Sequence, residues 1–118
     1  NNHEEYDVTM EEIHHVYKKD APSGTAITTA EGVLKNVKRK EKWSIDRENV
    51  SMKDIFIDHK RIHNIPGIHT VLYTSAIDSI ELKHTAFNRE GFATGAVIAA
   101  EYIKDKKGLF GMKDVLGI

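Results

Sequence analysis

At 118 residues the chain has the length of one compact domain, enough for a single hydrophobic core. Hydrophobic residues make up 40% and charged residues 30%, which excludes a disordered chain, and a formal net charge of −1 removes the bulk attraction that would favour nucleic acid or an anionic membrane. The absence of cysteine excludes disulfides, thiolate metal sites and a cysteine nucleophile, and it fits a cytoplasmic location.

The longest apolar run, Gly95 to Ala100, is far short of the roughly 20 residues a spanning helix needs. Asn1 to Glu5 carry no apolar stretch of the secretory-signal kind. Expected partners are therefore a small solute or another protein, with no nucleic acid and no membrane.

From Tyr6 the apolar residues alternate as Tyr6, Val8 and Met10 with Asp7, Thr9 and Glu11 between them, which predicts a half-buried strand from Tyr6 to His14. Asp20-Ala21-Pro22-Ser23-Gly24 combines turn residues with a helix start. Ala26, Ile27, Ala30, Val33, Leu34 and Val37 follow at helical spacing, so an amphipathic helix of about four turns is expected. Lys35, Lys38, Arg39 and Lys40 read as its solvated basic end, where cations favour the negative pole of the helix dipole.

Trp43 to Ser51 lacks periodicity and reads as a connection. Ile55 to Ile57, Ile68 to Ser75 and Ile80 to Ala86 read as strands, separated by turn residues at Asn64 to Gly67 and at Asp78-Ser79, so the economical arrangement is an antiparallel meander. A last helix is expected from Arg89 to Lys104. Phe92, Ala93, Ala96 to Ala100, Tyr102 and Ile103 make it apolar nearly all round, which demands partners on several sides. The expected class is α+β: a mixed or antiparallel sheet of about four strands with helices on one face, in two layers.

Polar groups with chemistry converge between His14 and Thr25, where a strand runs through a loop into a helix. Such turns are common sites for small molecules. The first N–H groups of a helix starting near Ser23, Gly24 and Thr25 lack intrahelical acceptors and sit at the positive end of the dipole, which suits a carboxylate or phosphate. Gly24 allows close approach to the backbone, Lys18 adds a positive charge, and Ser23 and Thr25 add hydroxyl donors. The combination suits a small dianion. Adjacent histidines on a strand face opposite sides, so His14 and His15 should differ in role: one can handle a proton while the other binds the ligand. Taken alone, the doublet is equally an ordinary structural histidine beside a surface one.

Asp20 suits a turn or cap better than acid catalysis. Among the seven histidines only His59 and His63 have the i, i+4 spacing of a helical metal pair, and they lie in a strand-like region, so no metal is expected. The chain contains no Gly-x-Gly-x-x-Gly and no Gly-Lys-Ser/Thr, hence no nucleotide fingerprint of its own.

The run Glu12-Ile13-His14-His15-Val16-Tyr17-Lys18-Lys19-Asp20-Ala21-Pro22-Ser23-Gly24-Thr25-Ala26 closely resembles the signature of dihydrodipicolinate reductases, also called 4-hydroxy-tetrahydrodipicolinate reductases. Further matches cover Arg61, Gly67, His69 and Thr70, then Arg89, Phe92, Ala93, Gly95, Ala96, Ala99 and Ala100, and finally Gly108 to Leu116. His63 departs from the family pattern, where glycine is usual, and Ile77-Asp78-Ser79 replaces the usual Gly-Glu turn.

The resemblance implies the carboxy-terminal substrate-binding and oligomerisation domain, residues 1–118, of an enzyme whose cofactor domain of Rossmann type is not in this sequence. The full enzyme would use NADPH or NADH to reduce a cyclic dicarboxylate to tetrahydrodipicolinate on the route to diaminopimelate and lysine. The fragment alone would bind no cofactor and be inactive.

The resemblance makes His14 the proton donor and acceptor, Lys18 a proton donor, and His15, Ser23, Gly24 and Thr25 the substrate contacts, with Arg89 and Phe92 approaching the cofactor. It also implies a homotetramer built through the sheet, and a carboxy-terminal helix that returns to the cofactor domain. A non-catalytic oligomerisation module is the alternative, and a metal-dependent hydrolase built on the histidines is a third reading.

Overall fold

The computed structural model describes residues 3–118. Asn1 and Asn2, part of the segment read as lacking a signal, lie outside the described residues. The chain divides into two units, residues 1–87 and 88–118.

The first unit is a five-stranded mixed sheet with one helix against it. Its elements are β1 (Asp7–His14), α1 (Gly24–Asn36), β2 (Lys42–Ser44), β3 (Asp54–Arg61), β4 (Gly67–Thr74) and β5 (Ser79–Ala86), with sheet order β2-β3-β1-β4-β5. β1 runs parallel to β3 and antiparallel to β4, β2 runs parallel to β3, and β4 pairs antiparallel with β5.

Alternate residues of β1 are buried: Val8, Met10, Glu12 and His14. Val8 and Met10 meet Ala26 and Ala30 of α1, with Ile55 and Ile57 of β3 and Val71 of β4 completing the core. The small alanines let the helix backbone approach the sheet, and Val33, Leu34, Trp43, Ile45 and Tyr73 seal the margin.

The expected strands and helix form where the periodicity placed them, and the class is α+β. Three expectations need correction. The strands after residue 53 are not a meander: β4 and β5 form a hairpin, but β1 lies between β3 and β4. The α1 crossover returns the chain so that β3 aligns parallel with β1, and apolar runs with turns between them do not reveal which strands pair.

Next, the stretch read as a connection contains β2 at its start, because Trp43 pairs with Ile55 on the edge of the sheet. Lastly, Lys40 is not solvated. It is 5% exposed, its Nζ donates to the carbonyls of Met52 and Asp54 at 2.8 Å each, and it meets Asp7 Oδ1 at 2.6 Å.

The unusual 77–79 turn closes tightly. Ser75 N–H donates to the Asp78 carbonyl at 2.9 Å, and the Ser75 hydroxyl accepts from the N–H groups of Ile77 and Asp78 at 3.1 Å each. Tyr6 Oη donates to Asp78 Oδ1 at 2.5 Å, tying the start of β1 to this turn.

The second unit holds α2 (Glu90–Ile103) and a short α3 (Met112–Leu116) that the periodicity did not reveal. Asp114 accepts from the Gly111 N–H at 2.7 Å and so caps α3. Tyr102 packs edge-on against Phe110, with ring centroids 5.7 Å apart. No residue of α2 is buried, and Phe92, Val97, Ile98 and Ile103 are each about half exposed. No helix among the described residues is long and apolar enough to cross a membrane.

Candidate active site

The site grows from the carboxy-terminal end of β1. Because side chains alternate along a strand, Glu12 and His14 share the face of Val8 and Met10, but they lie beyond the part of it that α1 fills with alanines. Register places Glu12 beside His59 of β3 and His69 of β4, and His69 beside His84 of β5, so a band of acid and imidazole crosses four strands.

Glu12 is fully buried, which for a carboxylate requires compensation by charge and hydrogen bonds. Its Oε2 accepts from the Ser23 N–H at 2.9 Å, and its Oε1 lies 3.0 Å from Arg61 Nη1. Burial alone would raise its pKa. Hydrogen bonding from Ser23, then Arg61 and the field of His14, outweigh that and hold the carboxyl below its ordinary value. A carboxylate of the chain itself thus occupies one position at the amino end of α1.

Ser23 is the N-cap of α1, and its Oγ accepts from the Ala26 N–H at 3.2 Å and lies 2.9 Å from His69 Nε2. Gly24 and Thr25 follow as the exposed first residues of the helix. The sequence-based anion site therefore keeps Gly24 and Thr25 open, while the Ser23 N–H is already bonded to Glu12.

Arg61 is the second hub. Besides Glu12, its guanidinium donates to the carbonyls of Asp20 at 2.6 Å, Lys60 at 2.9 Å and Lys18 at 3.3 Å, so it holds the 15–22 loop against the end of β3. Within that loop Lys18 Nζ pairs with Asp20 Oδ1 at 2.9 Å. This pairing, with other hydrogen bonding and the Arg61 charge, keeps the Asp20 carboxyl below its ordinary value. Asp20 thus serves the loop as a partner of Lys18, and the helix cap falls to Ser23.

His14 is 8% exposed, with its Nδ1 3.3 Å from Glu12 Oε2 and its ring 4.9 Å from that of His69. Burial lowers its pKa; Glu12 opposes this, and Lys18, Arg61 and His15 reinforce it. His69 is lowered too, by burial first and then by the neighbouring His14. Gly67 stands beside His14: a Cβ there would come within 3.2 Å of His14 Nε2. His15 lies just past the strand, with its ring 6.3 Å from Tyr17 and a buried Nδ1 that lacks a hydrogen-bond partner among the described residues.

The structure thus gathers His14, Lys18 and Ser23 around Glu12 and Arg61, with Gly24 and Thr25 at the adjoining helix start. Arg89 and Phe92 lie in the second unit, Arg89 at the N-cap of α2 and Phe92 in its first turn. Glu12, Arg61 and His69 were not foreseen as site residues. For Glu12 the usable signal is phase, since it continues the buried alternation of Val8 and Met10.

Glu12, His14 and His69 bring one donor atom each within 4.8 Å of the others, close enough to consider a cation. Arg61 already supplies that positive charge to Glu12, and Ser23 engages both Glu12 and His69. His59 and His63 are no helical pair, since His59 is in β3 and His63 follows that strand.

A family model described as dihydrodipicolinate reductase, C-terminus, matches residues 1–116. The chain is 54% identical over 113 residues to the 4-hydroxy-tetrahydrodipicolinate reductase of Christiangramia forsetii, covering 96% of this chain and 46% of that protein. It is 43% identical over 117 residues to the enzyme of the same name from Methanosarcina acetivorans, covering 97% of this chain and 44% of the relative.

The solved structure of dipicolinate-bound dihydrodipicolinate reductase from Paenisporosarcina sp. TG-14 superposes with a TM-score of 0.64 at 25% identity, over 92% of this chain and 44% of that one. The chain spans less than half the length of these relatives. With the signature between Glu12 and Ala26 folded into one site and the family match running almost from end to end, this chain belongs to the dihydrodipicolinate reductase family, as its carboxy-terminal domain.

Proposed function

We propose that this chain is the dicarboxylate-binding and proton-supplying domain of a cytoplasmic 4-hydroxy-tetrahydrodipicolinate reductase acting in diaminopimelate and lysine biosynthesis. The observation that carries the reading is the junction of β1 and α1, where His14, Lys18 and the exposed helix start at Gly24 and Thr25 lie around a buried Glu12 paired with Arg61.

One carboxylate of the substrate is held by the Gly24 and Thr25 N–H groups and the Thr25 hydroxyl, beside Ser23, with the dipole of α1 behind them. Lys18 leaves Asp20 to meet the dianion and supplies a proton. His15 hydrogen-bonds the ligand. His14, largely neutral in its buried setting, gains a proton as the dianion arrives, because two added negative charges favour the imidazolium.

NADPH or NADH supplies the hydride when bound to the whole protein. The residues of this chain include no glycine-rich phosphate loop, so the dinucleotide is held chiefly elsewhere, with Arg89 and Phe92 of α2 approaching it. The domain also assembles into a tetramer through its sheet. Assembly without catalysis is the competing reading, favoured by the exposed Ile80 and Leu82 on β5.

Titration of the chain with dipicolinate tests the proposal. Shifts at Lys18, Gly24 and Thr25, with binding weakened about tenfold or more in Lys18→Ala by loss of a charge-assisted contact, are expected. Equal binding by Lys18→Ala and the parent would sink the site assignment. Sedimentation as a monomer at high concentration would sink the assembly role.

A further inference from the structure

We infer that Glu12 is a positioning residue that fixes the ring tautomer and orientation of His14, holding the proton on Nδ1 and leaving Nε2 to face the ligand. The inference rests on the reading of His14 as the proton-handling group. Three observations point the same way.

Glu12 Oε2 is 3.3 Å from His14 Nδ1, while His14 Nε2 lies toward Gly67, where a Cβ would stand 3.2 Å from it. The carboxylate is fixed on one side by the Ser23 N–H, which donates to Oε2, and on the other by the charge of Arg61, whose Nη1 lies 3.0 Å from Oε1. Finally, β1 is paired on both edges, so Glu12 and His14 stand on a backbone that cannot shift independently.

A buried carboxylate facing one imidazole nitrogen favours the tautomer that donates to it, which makes the other nitrogen the exchanging one. The Glu12–His14 contact lacks the alignment of a full hydrogen bond. Catalytic contacts of this kind commonly tighten when substrate binds. The other charged or titratable groups around the ring are Lys18, Arg61, His15 and His69. Lys18 and Arg61 have no lone pair for Nδ1–H, and the His69 Nε2 is engaged by Ser23. Glu12 Oε2 is the acceptor that stands 3.3 Å from Nδ1. Ser23 and Arg61 thereby act on His14 through Glu12, which links the N-cap of α1 and the end of β3 to one ring.

The test is nitrogen-15 NMR of the histidine rings of the whole chain, alone and with dipicolinate, in the parent, Glu12→Gln and Glu12→Asp. The expected spectrum of the free parent at neutral pH shows His14 with the proton on Nδ1, and dipicolinate adds a second proton at Nε2 while Nδ1 keeps its own. In Glu12→Gln one carbonyl oxygen cannot serve Ser23, Arg61 and His14 together, so a mixture of tautomers and about tenfold weaker dipicolinate binding are expected. Glu12→Asp, with its charge kept, should recover most of the parent tautomer.

A parent His14 with its proton on Nε2 would overturn the inference, and needs no variant to be seen. So would a folded Glu12→Gln with unchanged tautomer and affinity. Failure of the parent to bind dipicolinate would count against the substrate reading alone, since the ring spectra still decide the role of Glu12.

Discussion

Gly67 shows how narrowly the site is fitted at the level of single residues. A methyl group there would stand 3.2 Å from His14 Nε2, so the imidazole must give way by a few tenths of an ångström or turn. Gly67→Ala is expected to weaken dipicolinate binding several-fold while changing the unfolding midpoint little, measured by calorimetric titration and urea denaturation; an unchanged affinity would show that Nε2 does not face the ligand.

The residues with chemistry of their own, His14, Lys18 and Ser23, were legible because they crowd into one turn. Glu12 was harder to see, since its meaning depends on the phase of β1 and on Arg61, which is remote in sequence. His69 was visible only as part of a matching pattern, because strand register rather than spacing brings it to Ser23.

Among the elements, α1 is pinned at both ends by polar groups that propensity alone does not reveal. At its amino end Ser23 caps the helix and meets His69. Ser23→Ala should cost about 1–3 kcal/mol, the sum of a lost cap and a buried imidazole nitrogen left unpaired. Urea unfolding measures this, and a loss below about half a kcal/mol would mean that water replaces both contacts.

Just past its carboxy end, Lys40 donates to two carbonyls and meets Asp7. Lys40→Ala is expected to lower stability by about 2–4 kcal/mol. The sequence made Lys40 look like one member of a solvated basic run; only the arrival of the Met52–Asp54 backbone makes it a buried donor. The meander failed for a similar reason. Turn residues at 64–67 mark where β3 ends and β4 begins, but the partner inserted between them was made more than forty residues earlier.

For the molecule as a whole, pH couples the site to stability. His14 and His69 both have folded-state pKa values below the ordinary value of 6.5, so the unfolded chain binds more protons as pH falls through that value. Their contribution is complete above it and is lost on acidification toward the lowered values. Glu12 adds a second loss, beginning below its ordinary value of 4.5. The unfolding midpoint in urea should therefore fall as pH is taken from 7.5 to 5.5, as about 6.5 is crossed, and flatten in a His14→Gln, His69→Gln double variant that still folds.

On the proposed function dipicolinate should have the opposite effect on His14, since its charges favour the imidazolium. Binding should take up protons near neutral pH, detectable as a heat that depends on the ionisation enthalpy of the buffer. A buffer-independent heat would exclude His14 as the group that responds to the ligand.

The central place of β1 has a consequence for how the domain breathes. Its amides are bonded to β3 on one edge and β4 on the other, so they can meet solvent only when the sheet itself opens. Hydrogen exchange at Met10 to Ile13 should thus be among the slowest in the chain, set by global unfolding, while the exposed strand β5 exchanges by local fraying. The 15–22 loop lies outside the sheet, so on the proposed function dipicolinate should slow exchange in the loop that bears Lys18 well before it changes anything in β1.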